Sequence, residues 1–561
     1  MSKFQIKKES RKIDLLMAFV INVVFLIIYT CIFNPIHETN DDLAISFMLE
    51  GAYGEYTPYV VYQNVLWGKF MVALNMLLPQ FKNYMIIMYG MLFVNFLGVT
   101  YTFLRTQGRK WGSVISTAIL LFCGYQSYVI FQYSRVAAVV AAGGLLLLFY
   151  ALEHAGCKKE KWIMIVLGGF LSLWASMIRF QMFAMSVVLV GGCIAIHRAW
   201  KIFREHKSEW LKRLLPYVAV FGTVGVLSLG LYVVDRVHYS SDEGWAAYTE
   251  FNEVRTELWD YGFPAYNDHA AFYNEMGISL TDFYYYYTWN MDEEVMTTEY
   301  LSQIAAAKPA KTFSVIEYFS LFPKDFLTIS PFVLYLVLAV VAIAINWKNI
   351  YFAAYGFAGV MAFEAYFFYI GRCSIERVDC GMWMVACMAL AYAVADDVKA
   401  IVVHTWRYAV AAIAVTGLLF AGDLVRTDAE VDGVVGSTKE LYQTIREDKE
   451  HMYIVMSFAP RIYYAYDFWE PCVQGDFSNV YNAYGWEFNV PVKQAIREAY
   501  GIENIYRDSI DNETVYFVAD TQQDVLQLYI QENYNPNAVV VYEKEIAGVP
   551  IWSVRTVESV Q

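Results

Sequence analysis

Four titratable side chains crowd one short stretch of this chain, NPIHETNDDLAISFMLEGAYGEY (34–56): His37, Glu38, Asp41 and Asp42. The stretch follows the first long apolar run, so the four groups stand where the chain leaves a lipid phase. An adjacent carboxylate pair has a plain structural reading. Thr39 or Asn40 can cap a helix that begins at Asp41, and acids in a first turn are favoured by the helix dipole. The pair also has a chemical reading. A carboxylate at a membrane boundary can serve as general base on a substrate that the membrane delivers. The two roles are compatible, because a cap fixes the side chain. His37 and Glu38 can add nitrogen and oxygen ligands for Mg²⁺ or Mn²⁺ beside the pair.

Isolated arginines stand at the ends of other apolar runs. Arg135 lies in FQYSRVAA, Arg179 in SMIRFQMF, and Arg372 and Arg377 in YIGRCSIERVDC. Arginine near hydrocarbon is costly and is usually paired or functional. Snorkelling to lipid headgroups is the simple alternative. A guanidinium is also the usual bidentate partner of a phosphate. One chemistry uses carboxylates and arginines together at lipid level: transfer of a sugar from a polyprenyl-phosphate carrier. The carboxylate takes the proton of an acceptor hydroxyl. The hydroxyl attacks the anomeric carbon, and an arginine stabilises the departing phosphate. A third cluster, in FNEVRTELWDYGFPAY (251–266), offers Arg255, Trp259, Asp260 and Tyr261 to a sugar or acceptor. Its alternative reading is an interfacial belt, where Trp and Tyr gather in any case.

The elements that must position these residues follow from composition. The chain is 58% hydrophobic and 17% charged, against about 45–50% and about 25% for soluble domains. The excess falls in blocks of about twenty residues, the length that crosses a hydrocarbon core of roughly 30 Å. An all-α polytopic membrane protein follows, with eleven expected spans: 13–33, 84–104, 113–131, 136–153, 162–178, 181–197, 215–234, 329–346, 350–370, 381–396 and 402–422. Residues 60–79 are nearly long enough to span. Gln63, Asn64, Trp67 and Lys69 within them fit an interfacial helix instead.

Charge sets the orientation. The N-terminus and the segments 105–110, 155–161 and 198–213 are basic, which makes them cytoplasmic. Parity then puts 34–83, 235–328 and the tail outside. Residues 235–325 hold sixteen Asp and Glu against five Lys and Arg, in keeping with the net charge of −14. The acidic outer face gives no reason to expect nucleic acid. Residues 1–424 read as the membrane domain, with outer loops 34–83 and 235–328. Residues 425–561 read as a small extracytoplasmic α/β domain: helix 437–448, strands 452–457 and 514–519, helix 521–533, and strands 538–543 and 550–555. That tail has no Gly-rich phosphate loop and no nucleophile elbow. The eight cysteines include no CxxC or Cys/His spacing, so no zinc site is expected. Cys373 and Cys380 share a short loop with Arg372 and Arg377. A disulfide and two free thiols are both open there.

This plan resembles the C-type superfamily of polyprenyl-phosphate-sugar-dependent membrane glycosyltransferases. The resemblance rests on the acidic pair Asp41–Asp42 after the first span, a helix to about Gly51, the aromatic turn AYGEYTPY, a second helix near 63–79, and a soluble domain at the end. It implies a C-type fold, a carboxylate base at Asp41 or Asp42, and a carrier-linked sugar as donor. The acceptor would be a glycan or lipid. Some bacterial members with this acidic opening are described as glucosyltransferases. The general look and a short tail without a retention signal point to a bacterial plasma membrane. Rival readings are a flippase or transporter of lipid-linked sugars, a polysaccharide polymerase or ligase, and a receptor with the tail as its binding module. A transporter should carry mid-span charges and internal repeats. Glu364 is the one clear mid-span acid, and no repeat is visible.

Overall fold

The structure is a computed structural model that describes residues 3–309, 314–318, 320, 328–372, 375–400, 417 and 438–560. It is mostly helical. Seven helices among the described residues are long and apolar enough to cross a membrane: Ser10–Cys31 (within α1, Lys3–Cys31), Asn83–Gln107 (α4), Tyr133–Glu153 (α7), Lys158–Ile178 (α8), Phe180–Glu205, Trp210–Ser241 (α11) and Trp347–Ile370. They coincide with seven of the eleven expected spans. The expected span 113–131 is helical from Arg109 to Tyr128 (α5 and α6, joined by a π turn at Leu120–Gly124). The spans 329–346 and 381–396 correspond to the helices Ser330–Ile345 and Glu376–Ala393. The span 402–422 lies outside the described residues, apart from Gly417, and so does the expected domain boundary at 424–425.

α7 is the axis of the bundle. Every residue from Tyr133 to Ala151 is buried, and the helix touches α4, α8, Phe180–Val190 (α9) and Glu376–Ala393. Small residues make this possible, because packing in lipid relies on close backbone approach. A Cβ added at Gly143 would lie 1.9 Å from Asn95 Oδ1, and one at Gly144 would lie 2.6 Å from Ser172 Oγ. α11, by contrast, is exposed along most of its length.

The segment 60–79 folds as a 13-residue helix, Val65–Leu77 (α3), with the Asn64 side chain accepting from the Leu66 N–H at its start. At about 1.5 Å per residue it is too short to cross. Ahead of it, Ile36–His37 (β1) pairs in parallel with Ile130–Phe131 (β2). This small ladder ties the start of the first loop to the start of α7. α2 (Asn40–Glu50) follows and ends at Gly51, whose φ of +74° is the left-handed turn that glycine accepts without a steric penalty.

The long segment after α11 is also helical, starting with Glu243–Trp259 (α12). The last region holds a mixed five-stranded sheet in the order β4-β3-β5-β7-β6. Met452–Val455 (β3), Val515–Val518 (β5), Ala538–Ile546 (β6) and Val549–Thr556 (β7) match the expected strands. Val480–Asn482 (β4) and the helix Pro491–Ala499 were not expected. Three residues are too few to show a period of two. β6 and β7 form a hairpin whose turn residues Ala547 and Gly548 both have positive φ, the turn that matches strand twist.

Candidate functional site

Asp41 and Asp42 are the first acids of α2, but they do not serve it as caps. Thr39 holds the N-cap position without a capping hydrogen bond. Both carboxylates turn to other parts of the chain. Asp42 is fully buried. Its Oδ1 accepts the Tyr84 hydroxyl at 3.1 Å and its Oδ2 accepts the Tyr133 backbone N–H at 3.1 Å. Burial, and then the charge of Asp41, push its carboxyl well above the usual range. Asp41 accepts the Trp486 indole N–H on Oδ1 at 2.9 Å, and its Oδ2 lies 4.0 Å from Arg377.

The β1–β2 ladder sets Glu38 beside Arg135, in the first turn of α7. Their ion pair is 3.0 Å long, and Glu376 lies 3.7 Å from the same guanidinium. Burial pushes the Glu38 carboxyl up, and Arg135 pulls against it. His37 packs its ring 4.8 Å from Phe468 and leaves both buried ring nitrogens without a partner. Burial, and then Lys82, lower its pKa to about 3, so the imidazole is neutral. A neutral imidazole is a competent metal ligand. No group of three or more His, Cys, Asp or Glu among the described residues is placed to hold a metal ion. His37 and Glu38 therefore belong to no such group among the described residues.

The distant arginines meet at this same end of the bundle. Arg377 reaches Asp41. Arg372 pairs with Asp260 at 3.3 Å and lies 5.6 Å over the Tyr261 ring. Arg179, in the turn between α8 and α9, lies over two rings, 5.1 Å from Tyr62 and 5.8 Å from Tyr133. Arg255 is buried on α12, bonded to Asn252 at 2.8 Å and Thr256 at 3.1 Å, with its Nη1 unpartnered. Arg179 and Arg255 have no carboxylate partner among the described residues. Trp259 has its indole N–H committed to the Tyr286 carbonyl at 2.8 Å. Cys380 is a buried free thiol, and Cys373 lies outside the described residues.

Tyr62 is the hub that the sequence did not reveal. Its ring meets Trp486 edge-on at 5.2 Å and stacks on Tyr133 at 6.5 Å. Its phenol is pushed up to about 12 by burial, while the charges of Arg255, Asp41, Asp260 and Arg179 all act on it. A cleft of about 210 Å³ opens beside it, walled by Gln63, Arg179, Arg236, Tyr248 and Asn252. Asp41 keeps Oδ2 on the Arg377 side, and Arg179 and Arg255 are two cations without a carboxylate partner among the described residues. Aromatic and amide groups wall the cleft beside them, together with Asp235, Arg236 and Glu253. A hydroxyl could lose its proton here, and a phosphate could be held.

These features define a helical protein with membrane-length helices and an acid–arginine site at one end of its bundle. In comparisons with known proteins the chain matches no family model, no curated protein and no solved structure.

Proposed function

We propose that this chain is an integral membrane glycosyltransferase that moves a sugar from a polyprenyl-phosphate carrier to an acceptor hydroxyl on a glycan or lipid. The observation that carries this reading is convergence. Asp41, Arg135, Arg179, Arg255, Arg372 and Arg377 come from five separate parts of the sequence to one end of the bundle. Asp41 accepts the acceptor's proton. The new bond forms from the acceptor oxygen to the anomeric carbon as the bond from that carbon to the carrier phosphate breaks. Arg179 and Arg255, which pair with no carboxylate among the described residues, take the charge that grows on the phosphate. Asp42, bonded to Tyr84 and to the Tyr133 backbone, holds the start of α2 against α4 and α7.

In this reading the site lies on the outer face of a bacterial plasma membrane. The N-terminus is cytoplasmic, eleven spans follow, and the C-terminal domain is extracytoplasmic. The basic segments between spans support that orientation.

Proteoliposomes given a radiolabelled polyprenyl-phosphate hexose test the reaction. Label appearing on an added acceptor is the expected result. Label that only crosses the bilayer would make the protein a translocator, and label that does neither would remove the enzyme reading.

A further inference from the structure

The residue that meets Asp41 comes from the other end of the chain. Trp486 lies between β4 and the helix Pro491–Ala499, and its indole N–H reaches Asp41 Oδ1 at 2.9 Å across 445 residues of sequence. Its placement is fixed on both sides. Tyr484 is bridged to Asn290, and Gly485 takes a φ of +71°. Tyr248 on α12 donates its hydroxyl to the Trp486 carbonyl.

The next residue, Glu487, is almost fully buried. It accepts from Lys493 at 2.8 Å, from Tyr53 at 2.9 Å and from Asn40 at 3.3 Å. Asn40 is the residue before Asp41. One turn of the C-terminal domain therefore grips α2 at two neighbouring positions, through Glu487 and through Trp486. A buried ion pair that recruits two further donors has one favoured geometry, because leaving any member unpaired is costly.

The chemistry of the contact is specific. An indole N–H is a donor only. It can orient a carboxylate without competing for the proton that a base must accept. It also occupies Oδ1, which leaves Oδ2, on the Arg377 side, as the oxygen that works.

We propose that Trp486 is a positioning residue for Asp41, so that the acid–arginine site is complete only when the C-terminal domain is docked on the first loop. This inference rests on the transferase reading for its catalytic consequence and on geometry alone for the contact.

The test replaces Trp486 with 3-benzothienylalanine, which keeps the ring outline and substitutes sulfur for the N–H. In membranes where the wild type transfers sugar, kcat should fall by about 10²-fold, as misplacement of a reacting group does. KM for the donor should stay within a factor of about two. Trp486→Phe should behave alike, showing that the missing N–H and not the analogue is responsible. An unchanged kcat, or a loss confined to KM, overturns the inference while leaving the transferase reading intact. A second measurement does not depend on activity. The ¹⁵N-labelled indole resonance of Trp486, assigned by its loss in Trp486→Phe, should move upfield in Asp41→Ala. A resonance that stays in place overturns the contact. A wild type without transfer activity removes the transferase reading and with it the catalytic consequence, and the indole resonance still decides the contact.

Discussion

Arg179 lies with its guanidinium 5.1 Å over the ring of Tyr62 and has no carboxylate partner among the described residues. A cation on an aromatic face keeps most of its hydrogen-bonding edge for another group. The cleft beside it is walled by Gln63 and Asn252, and by Arg236, Asp235 and Glu253, with Arg236 3.5 Å from Glu253. Arg179→Gln should therefore weaken binding of a polyprenyl phosphate by about 10- to 100-fold, the worth of one charge-assisted hydrogen bond. Titration of the protein in nanodiscs with a fluorescent carrier reads this directly. Unchanged affinity would leave Arg179 as a packing residue for Tyr62 and Tyr133.

Asp41 and Asp42 should part company on mutation. Asp42 has both oxygens bonded, and burial pushes its carboxyl up. An amide keeps that shape. Asp42→Asn should retain transfer within about tenfold. Asp41→Asn removes the proton acceptor and should cost the 10²–10⁴-fold or so that a positioned base supplies. Equal losses in the two variants would mean that the pair works as one unit. No loss in Asp41→Asn would remove the base from the proposed reaction.

The parts legible in the sequence are those that lipid constrains. Hydrocarbon thickness fixes helix length, so seven apolar blocks appear as helices of membrane length. Charge near lipid is costly, so Asp41, Asp42 and four arginines stood out, and the structure brings them together with Arg255 and Asp260. What was hidden is aromatic. The chain holds 45 tyrosines and 15 tryptophans, so composition cannot single out Tyr62 or Trp486. The turn NAYGWEFN (482–489) is a weak signal, and its partner is 445 residues away. Trp259, singled out for the sugar, has its N–H committed to a backbone carbonyl within its own segment. Helix-start chemistry also misled: Thr39 has the right type and place for a cap, yet its hydroxyl makes no such bond.

Glu293 gives a pH dependence with a defined sign. It pairs with Arg497 at 3.0 Å and accepts the Ile505 N–H at 2.8 Å, joining the segment after α12 to the C-terminal domain. Burial outweighs the pull of Arg497 and raises its carboxyl from 4.5 to about 7. The folded state thus holds this proton more tightly than the unfolded state. The stability from it is fully present below about pH 4.5 and is lost as the pH rises to about 7. Thermal scans of the purified protein should show a falling Tm across that window, and Glu293→Gln should flatten part of the fall. An identical slope in wild type and variant would assign the dependence to other groups.

Glu50 and Lys82 form an ion pair of 3.0 Å that is almost wholly buried, at 3% and 1% side-chain exposure. The same Glu50 oxygen accepts the Cys472 N–H of the C-terminal domain at 2.8 Å, and its other oxygen accepts Ser46 at 2.7 Å. Lys82 lies 5.4 Å over Phe47 and 5.2 Å over Tyr466. One pair therefore joins the end of α2, the start of α4 and the C-terminal domain. Lys82→Met leaves a carboxylate in that setting with only two neutral donors. Breaking a buried pair from one side costs about 3–5 kcal/mol, so Tm should drop by several degrees and the C-terminal domain should become sensitive to protease. Adding Glu50→Gln removes the stranded charge, and the double variant should recover much of the loss. If the double variant were less stable than Lys82→Met alone, the stranded charge would not be the cause. The packing of Lys82 on Phe47 and Tyr466 would then account for the pair's effect.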